Sequence, residues 1–253
     1  MLRTRVIPCL LLKNESLVKT VKFKEYNYIG DPVNTVRIFN ELEVDELMFL
    51  DIFASKEGNS INFKILKDIA NECFMPLSYG GNIKSLDDAK KIFKIGFEKV
   101  VINSNAFDNL KLIEEISKYF GAQSIVGSID IKQSFFGGQK VYSHHGKKKQ
   151  SIGIVEWAIQ LEKAGVGELL ITSVDKEGSW DGYDVELIKS ITHSVQVPVI
   201  ANGGCGAVEH IGEVVKKANA SACAVGSMVV YQKKAMGVLV NFPDREILEE
   251  VLR

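Results

Sequence analysis

Asp130 stands near the end of an otherwise apolar run, SIVGSIDIK (124–132). A carboxylate held in the mouth of a fold and partly stripped of water can act as a general acid or base. The alternative is a carboxylate that only braces a rim. Two pairs of small-residue turns carry a second kind of chemistry. The first pair is Gly80-Gly81-Asn82 and Asn103-Ser104; the second is Asn202-Gly203-Gly204 and Gly226-Ser227. Glycines there let backbone N–H groups approach an anion closely, and Asn and Ser side chains complete its shell. One such pair alone reads as tight turns. Two pairs predict two phosphate cradles, and hence a ligand phosphorylated at both ends. Asp175, Glu177 and Gly178, in TSVDKEGS (172–179), flank the same region, and Ser173 and Ser179 add hydroxyls. Lys19 faces a phosphate, orients a substrate loop, or is simply solvated. Arg5, Glu46, Lys99 and Glu168 open apolar runs and form either an ion-paired ring or ordinary exposed charges.

The elements that must position these residues alternate along the whole chain. Short apolar runs at 6–12, 46–51, 76–79, 99–102, 124–130, 168–172, 197–201 and 222–225 read as parallel strands covered on both faces. Helical periodicity lies between them at 31–41, 63–73, 85–95, 109–119, 154–164, 185–194, 208–218 and 244–252. Asp31-Pro32 is an N-cap followed by proline, and Ser85 with Asp88 is a capping pair. Eight strand–helix alternations predict an α/β fold, a single-domain (β/α)8 TIM barrel, in preference to a doubly wound open sheet. The chain also repeats itself. Glu46 and Glu168 are separated by 122 positions, and Gly81/Gly204 and Ser104/Ser227 by nearly the same offset. CLLLK (9–13) aligns with SIDIK (128–132). Two fused half-barrels, about 1–122 and 123–253, are expected. In such barrels the C-terminal ends of the strands carry the function.

The 253 residues are 46% hydrophobic with a formal net charge of -1, ample for one large core and no bulk attraction to nucleic acid or an anionic membrane. No leader and no membrane span are expected, since the first apolar run, 6–12, is too short for either. Cys9, Cys73, Cys205 and Cys223 show no metal-binding spacing and read as reduced thiols, which places the protein in the cytoplasm and calls for no metal or cofactor. His144 and His145, with Lys147, Lys148 and Lys149, read as a solvated extension after the fifth strand.

With these residues in place, the sequence resembles the cyclase subunit of imidazole glycerol phosphate synthase in histidine biosynthesis. The blocks that carry the resemblance are GDPV (30–33), DELMFLDI (45–52), the GGNI turn (80–83), EKVVIN (98–103), SIDIK, GELLITSVDKEGSWDGYD (167–184) and the final GG…GS turns. The resemblance implies a glutaminase partner docked on the N-terminal face of the barrel. It implies that Arg5, Glu46, Lys99 and Glu168 gate ammonia passing through the centre to a doubly phosphorylated ligand. It gives one phosphate to Gly81, Asn82, Asn103 and Ser104, and the other to Gly178, Gly204, Gly226 and Ser227. Divergent copies of this family accompany surface-sugar enzymes, so an ATP-dependent sugar amidotransferase is a further partner it implies. Two departures stand out. Asn82 replaces a third glycine. Leu11 occupies the position of the first of two acid/base aspartates, of which Asp130 is the second. A synthase-like subunit with weakened cyclase and lyase chemistry is expected. The alternatives are a working cyclase and a non-catalytic regulator of the glutaminase that binds a phosphorylated metabolite.

Overall fold

The computed structural model describes residues 4–54, 60–134 and 137–253. From the N-terminus the chain forms β1 (Arg5–Lys13), β2 (Ser16–Val21), β3 (Lys24–Gly30), α1 (Pro32–Glu41), β4 (Leu47–Asp51) and α2 (Phe63–Glu72). There follow β5 (Leu77–Gly80), α3 (Leu86–Ile95), β6 (Lys99–Ile102), α4 (Ser104–Asp108) and α5 (Lys111–Phe120). The second half holds β7 (Ile125–Gln133), β8 (Gln139–Ser143), β9 (Lys148–Lys149), α6 (Ile154–Ala164), β10 (Glu168–Ser173), α7 (Val185–Thr192) and β11 (Val199–Asn202). It ends with α8 (Val208–Ala218), β12 (Ala222–Val225), α9 (Ser227–Val230) and α10 (Arg245–Leu252).

Eight of the strands pair in parallel in the order β1-β4-β5-β6-β7-β10-β11-β12, and β12 returns to β1 to close the barrel. The alternation of side chains along a strand then sorts the residues between two cores. On β1, Val6, Leu10 and Leu12 face the surrounding helices, whereas Ile7 and Cys9 enter an inner stack with Met48, Val101, Val126, Leu170, Ile200, Ala222 and Ala224. Arg5 and Leu11 continue that inward series at its two ends. This is how strand-start charges come to one end of the barrel and strand-end residues to the other.

The local stop and start signals act as expected. Asp31 accepts a hydrogen bond from Asn34 N at 2.8 Å, with Pro32 in the first turn of α1. Ser85 and Asp88 form a reciprocal capping box at α3, each contact 3.1 Å. Two features are additions to the sequence reading. β1 and β7 each run on into an antiparallel hairpin, β2–β3 and β8–β9. The β2–β3 turn is Lys22-Phe23, at φ +54° and +60°. That left-handed pair has the twist a two-residue hairpin needs, but it lacks the Gly, Asn or Asp that usually marks one. No described helix is long and apolar enough to cross a membrane.

Candidate active site

At the N-terminal end of the barrel the four strand-start charges meet. Arg5 Nη1 lies 2.7 Å from Glu46 Oε2, and its Nη2 lies 2.5 Å from Glu168 Oε1. Lys99 Nζ bridges the same two carboxylates at 3.0 and 3.1 Å, and Ser78 Oγ donates to Glu46 Oε1 at 2.6 Å. The result is a closed ring of alternating sign beneath the apolar inner stack. Burial works against the Arg5 charge, but Glu168 and Glu46 outweigh it and leave the guanidinium pKa above its ordinary value. A partly buried network of this kind suffers when one member is removed, because the others keep charges they can no longer pair. Glu46 is only 4% exposed. Lys99→Met is therefore expected to cost about 3 kcal/mol, readable as a lower urea midpoint with an unchanged m-value.

At the C-terminal end the strands open into a cavity of about 1130 Å³, measured with its mouth. Its wall brings together Gly81, Asn82, Asn103 and Ser104 from one pair of turns and Gly203, Gly204, Gly226 and Ser227 from the other. Lys19, Asp130, Glu177, Gly178 and Asn202 line it too. Gly203 and Gly204 have φ of +92° and +109°, and a Cβ on Gly204 would run into the Gly182 carbonyl, so no other residue fits that turn. Asn82 sits at φ +51°, a left-handed conformation in which Asn is among the tolerated substitutes for glycine. The Asn202 amide donates to Thr172 Oγ1 at 3.0 Å, fixing its orientation at the rim.

Asp130 is buried beneath this rim, in the wall of the cavity. Burial raises its pKa to about 7, against the opposing pull of a hydrogen bond with Asn103. Near neutrality it therefore exists in both protonation states, as an acid/base group requires. Asn103 Oδ1 is buried, and no donor reaches it among the described residues. Leu11 is 7% exposed and lines the same cavity, paired in register with Leu50. At this point of the wall β1 offers the cavity an alkyl group.

Lys19 is carried on β2, with its side chain only 8% exposed and its Nζ 3.0 Å from Glu177 Oε1. The same ammonium lies 2.8 Å from the place a Cβ on Gly226 would occupy, so it stands over the second cradle rather than in solvent. Glu177 also accepts from Thr20 Oγ1 at 3.0 Å and from Phe23 N at 3.1 Å, and so fastens the β2–β3 hairpin to the loop after β10. Glu177→Gln keeps one acceptor oxygen, turns the other into an NH2 donor and loses the charge. It is expected to loosen the hairpin by about 1–2 kcal/mol, visible as faster amide exchange at Thr20 and Phe23.

Two placements differ from the sequence reading. Asp175 does not line the cavity, because its carboxylate turns aside to accept from Gln133 N at 2.6 Å and braces the end of β7. The His144–Lys149 region is not simply a solvated extension. Lys148 and Lys149 are exposed, but His145 lines the cavity roof. Nothing in the local pattern marked it, since its contacts come from the β2–β3 hairpin more than a hundred residues earlier. Among the described residues no group of His, Cys, Asp and Glu is arranged to hold a metal ion.

The family model described as "Histidine biosynthesis protein" matches residues 5–235. A Pseudomonas aeruginosa protein provisionally named imidazole glycerol phosphate synthase subunit hisF2 is 49% identical, over 96% of this chain and 97% of its own. Imidazole glycerol phosphate synthase subunit HisF of Methanococcus vannielii is 39% identical over 92% of this chain and 93% of its own. The HisF subunit of Clostridium botulinum is 36% identical over 97% and 98%. A closed (β/α)8 barrel, matched over this length to these relatives, belongs to the histidine biosynthesis protein family, among the HisF-type cyclase subunits of imidazole glycerol phosphate synthase.

Proposed function

We propose that the chain is the synthase-like, ammonia-receiving subunit of a glutamine amidotransferase complex and holds a ligand phosphorylated at both ends. A glutaminase would dock on the N-terminal face, and its ammonia would enter through the ring of Arg5, Glu46, Lys99 and Glu168. The observation that carries this reading is the axial arrangement. One barrel has a charged ring at one end, and at the other a cavity with two small-residue cradles and Asp130 in the same wall. Gly81, Asn82, Asn103 and Ser104 would hold one phosphate. Gly178, Gly204, Gly226 and Ser227, with Lys19, would hold the other. The unfilled acceptor on Asn103 suits a ligand hydroxyl or N–H between the two.

On this reading Asp130 is the one that remains of the two expected acid/base aspartates. Leucine at position 11 transfers no proton, and a positioned acid or base contributes about 10² to 10⁴ in rate. Ring closure is therefore weakened in this chain, and ammonia reaching the cavity is left for a second enzyme, an ATP-dependent sugar amidotransferase. A fully working cyclase is the competing reading, favoured by the near-neutral pKa of Asp130.

The gate itself is tested with the glutaminase present. Neutralising Glu168 as Glu168→Gln should leave glutamine hydrolysis running while ammonia delivered to the cavity side falls at least tenfold. Equal delivery by the variant and the parent would show that the ring is structural only.

A further inference from the structure

The two hairpins that leave β1 and β7 meet over the mouth of the cavity. His145, in the turn between β8 and β9, stacks on Phe23 with ring centroids 4.9 Å apart and planes 7° apart. Its Nε2 is 3.1 Å from Tyr26 Oη. The Tyr26 ring is packed edge-on against Phe53, and Lys13 Nζ lies 4.7 Å from its centroid. Both stacked residues sit in the left-handed region, Phe23 at φ +60° and His145 at φ +58°. Non-glycine residues adopt that conformation at a cost, and such outliers persist where the surrounding contacts over-determine them. Here the unusual backbone of each turn aims one ring at the other. Gly146 adds to the fit, because any Cβ there would meet the Phe23 ring at 3.3 Å.

We propose that His145 is a positioning residue, a latch that holds the Lys19-bearing hairpin closed over the phosphate end of the cavity. Glu177 fastens the hairpin from the β10 side, and His145 fastens it from the β7 side. With both in place, Lys19 stays over the Gly226-Ser227 turn, and Phe23 closes the roof beside it. The role of the cavity as a phosphate site rests on the function proposed above; the latch itself is a statement about the free protein.

The full chain without ligand is sufficient for the first measurement. His145→Gly removes the ring at a backbone conformation that glycine accepts readily, so the barrel should fold normally. Hydrogen exchange across residues 16–30 is then expected to quicken about 10-fold, from the loss of the ring contacts with Phe23 and Tyr26 and of the hydrogen bond, with exchange in β4 to β6 unchanged. His145→Phe keeps the stack on Phe23 and loses the hydrogen bond with Tyr26 Oη, so it should quicken exchange only about threefold. Inorganic phosphate, titrated as a probe, should bind His145→Gly about 3- to 10-fold more weakly than the parent. Unchanged exchange in the hairpin of His145→Gly would remove the latch. A freed hairpin with undiminished phosphate affinity would remove its positioning role. Failure of the parent to bind phosphate would count instead against the proposed function, and the exchange comparison would still decide the latch.

Discussion

Leu11→Asp is expected to raise ammonium-dependent ring closure of the imidazole glycerol phosphate synthase substrate by about 10² to 10⁴. Leu11 already faces the cavity from β1, and Asp130 faces it from β7, so the substitution adds a carboxylate to a wall that exists. The exchange of a mostly buried leucine for a carboxylate costs stability, on the order of 2 kcal/mol in apolar burial. A thermal melt of the variant separates that loss from the gain in turnover. Parent and variant turning over equally would mean that another group already supplies the second proton, and the weakened-cyclase reading would be wrong.

Asp130→Asn is expected to stabilise the folded chain while abolishing its remaining proton chemistry. The Asp130 carboxyl has its pKa raised from 3.8 to about 7, chiefly by burial. The folded chain thus binds this proton more tightly than the unfolded chain does. Stability from this group is fully present below pH 4, falls as pH rises through the interval up to 7, and stays low above it. A shift of that size corresponds to about 4 kcal/mol at pH 8. Asparagine mimics the neutral form, and the Asn103 amide, with an acceptor unfilled, can turn to serve it. Unfolding free energies from urea titration should therefore rise by up to that amount at pH 8 and hardly move at pH 4. An equal change at both pH values would show that the side chain is not held in its neutral form by burial.

The strands and helices of the barrel were legible because each carries its own local signal. The apolar cores of β4, β6 and β12, the Asp31-Pro32 start of α1 and the Ser85–Asp88 box of α3 need no tertiary information. The charges at the strand starts could be placed at one end of a barrel by strand direction, but only packing shows that Arg5 and Lys99 each bridge Glu46 and Glu168. The two hairpins escaped notice for a physical reason. Lys22-Phe23 adopts a left-handed turn without glycine, and in the second turn His144 and His145 share the left-handed region with Gly146, the one residue there that favours it; contacts between the hairpins hold the others. Asp175 and Glu177 show the same limit at the scale of two residues. Identical charge in one loop serves a backbone brace in the first case and a latch on Lys19 in the second.

The most direct test of the central claim measures binding and turnover of one compound on the unmodified chain. The doubly phosphorylated substrate of imidazole glycerol phosphate synthase, titrated calorimetrically, should bind in the cavity with micromolar affinity, while its conversion with saturating ammonium salts stays near the uncatalysed rate. Rapid conversion, or no detectable binding, would contradict the account.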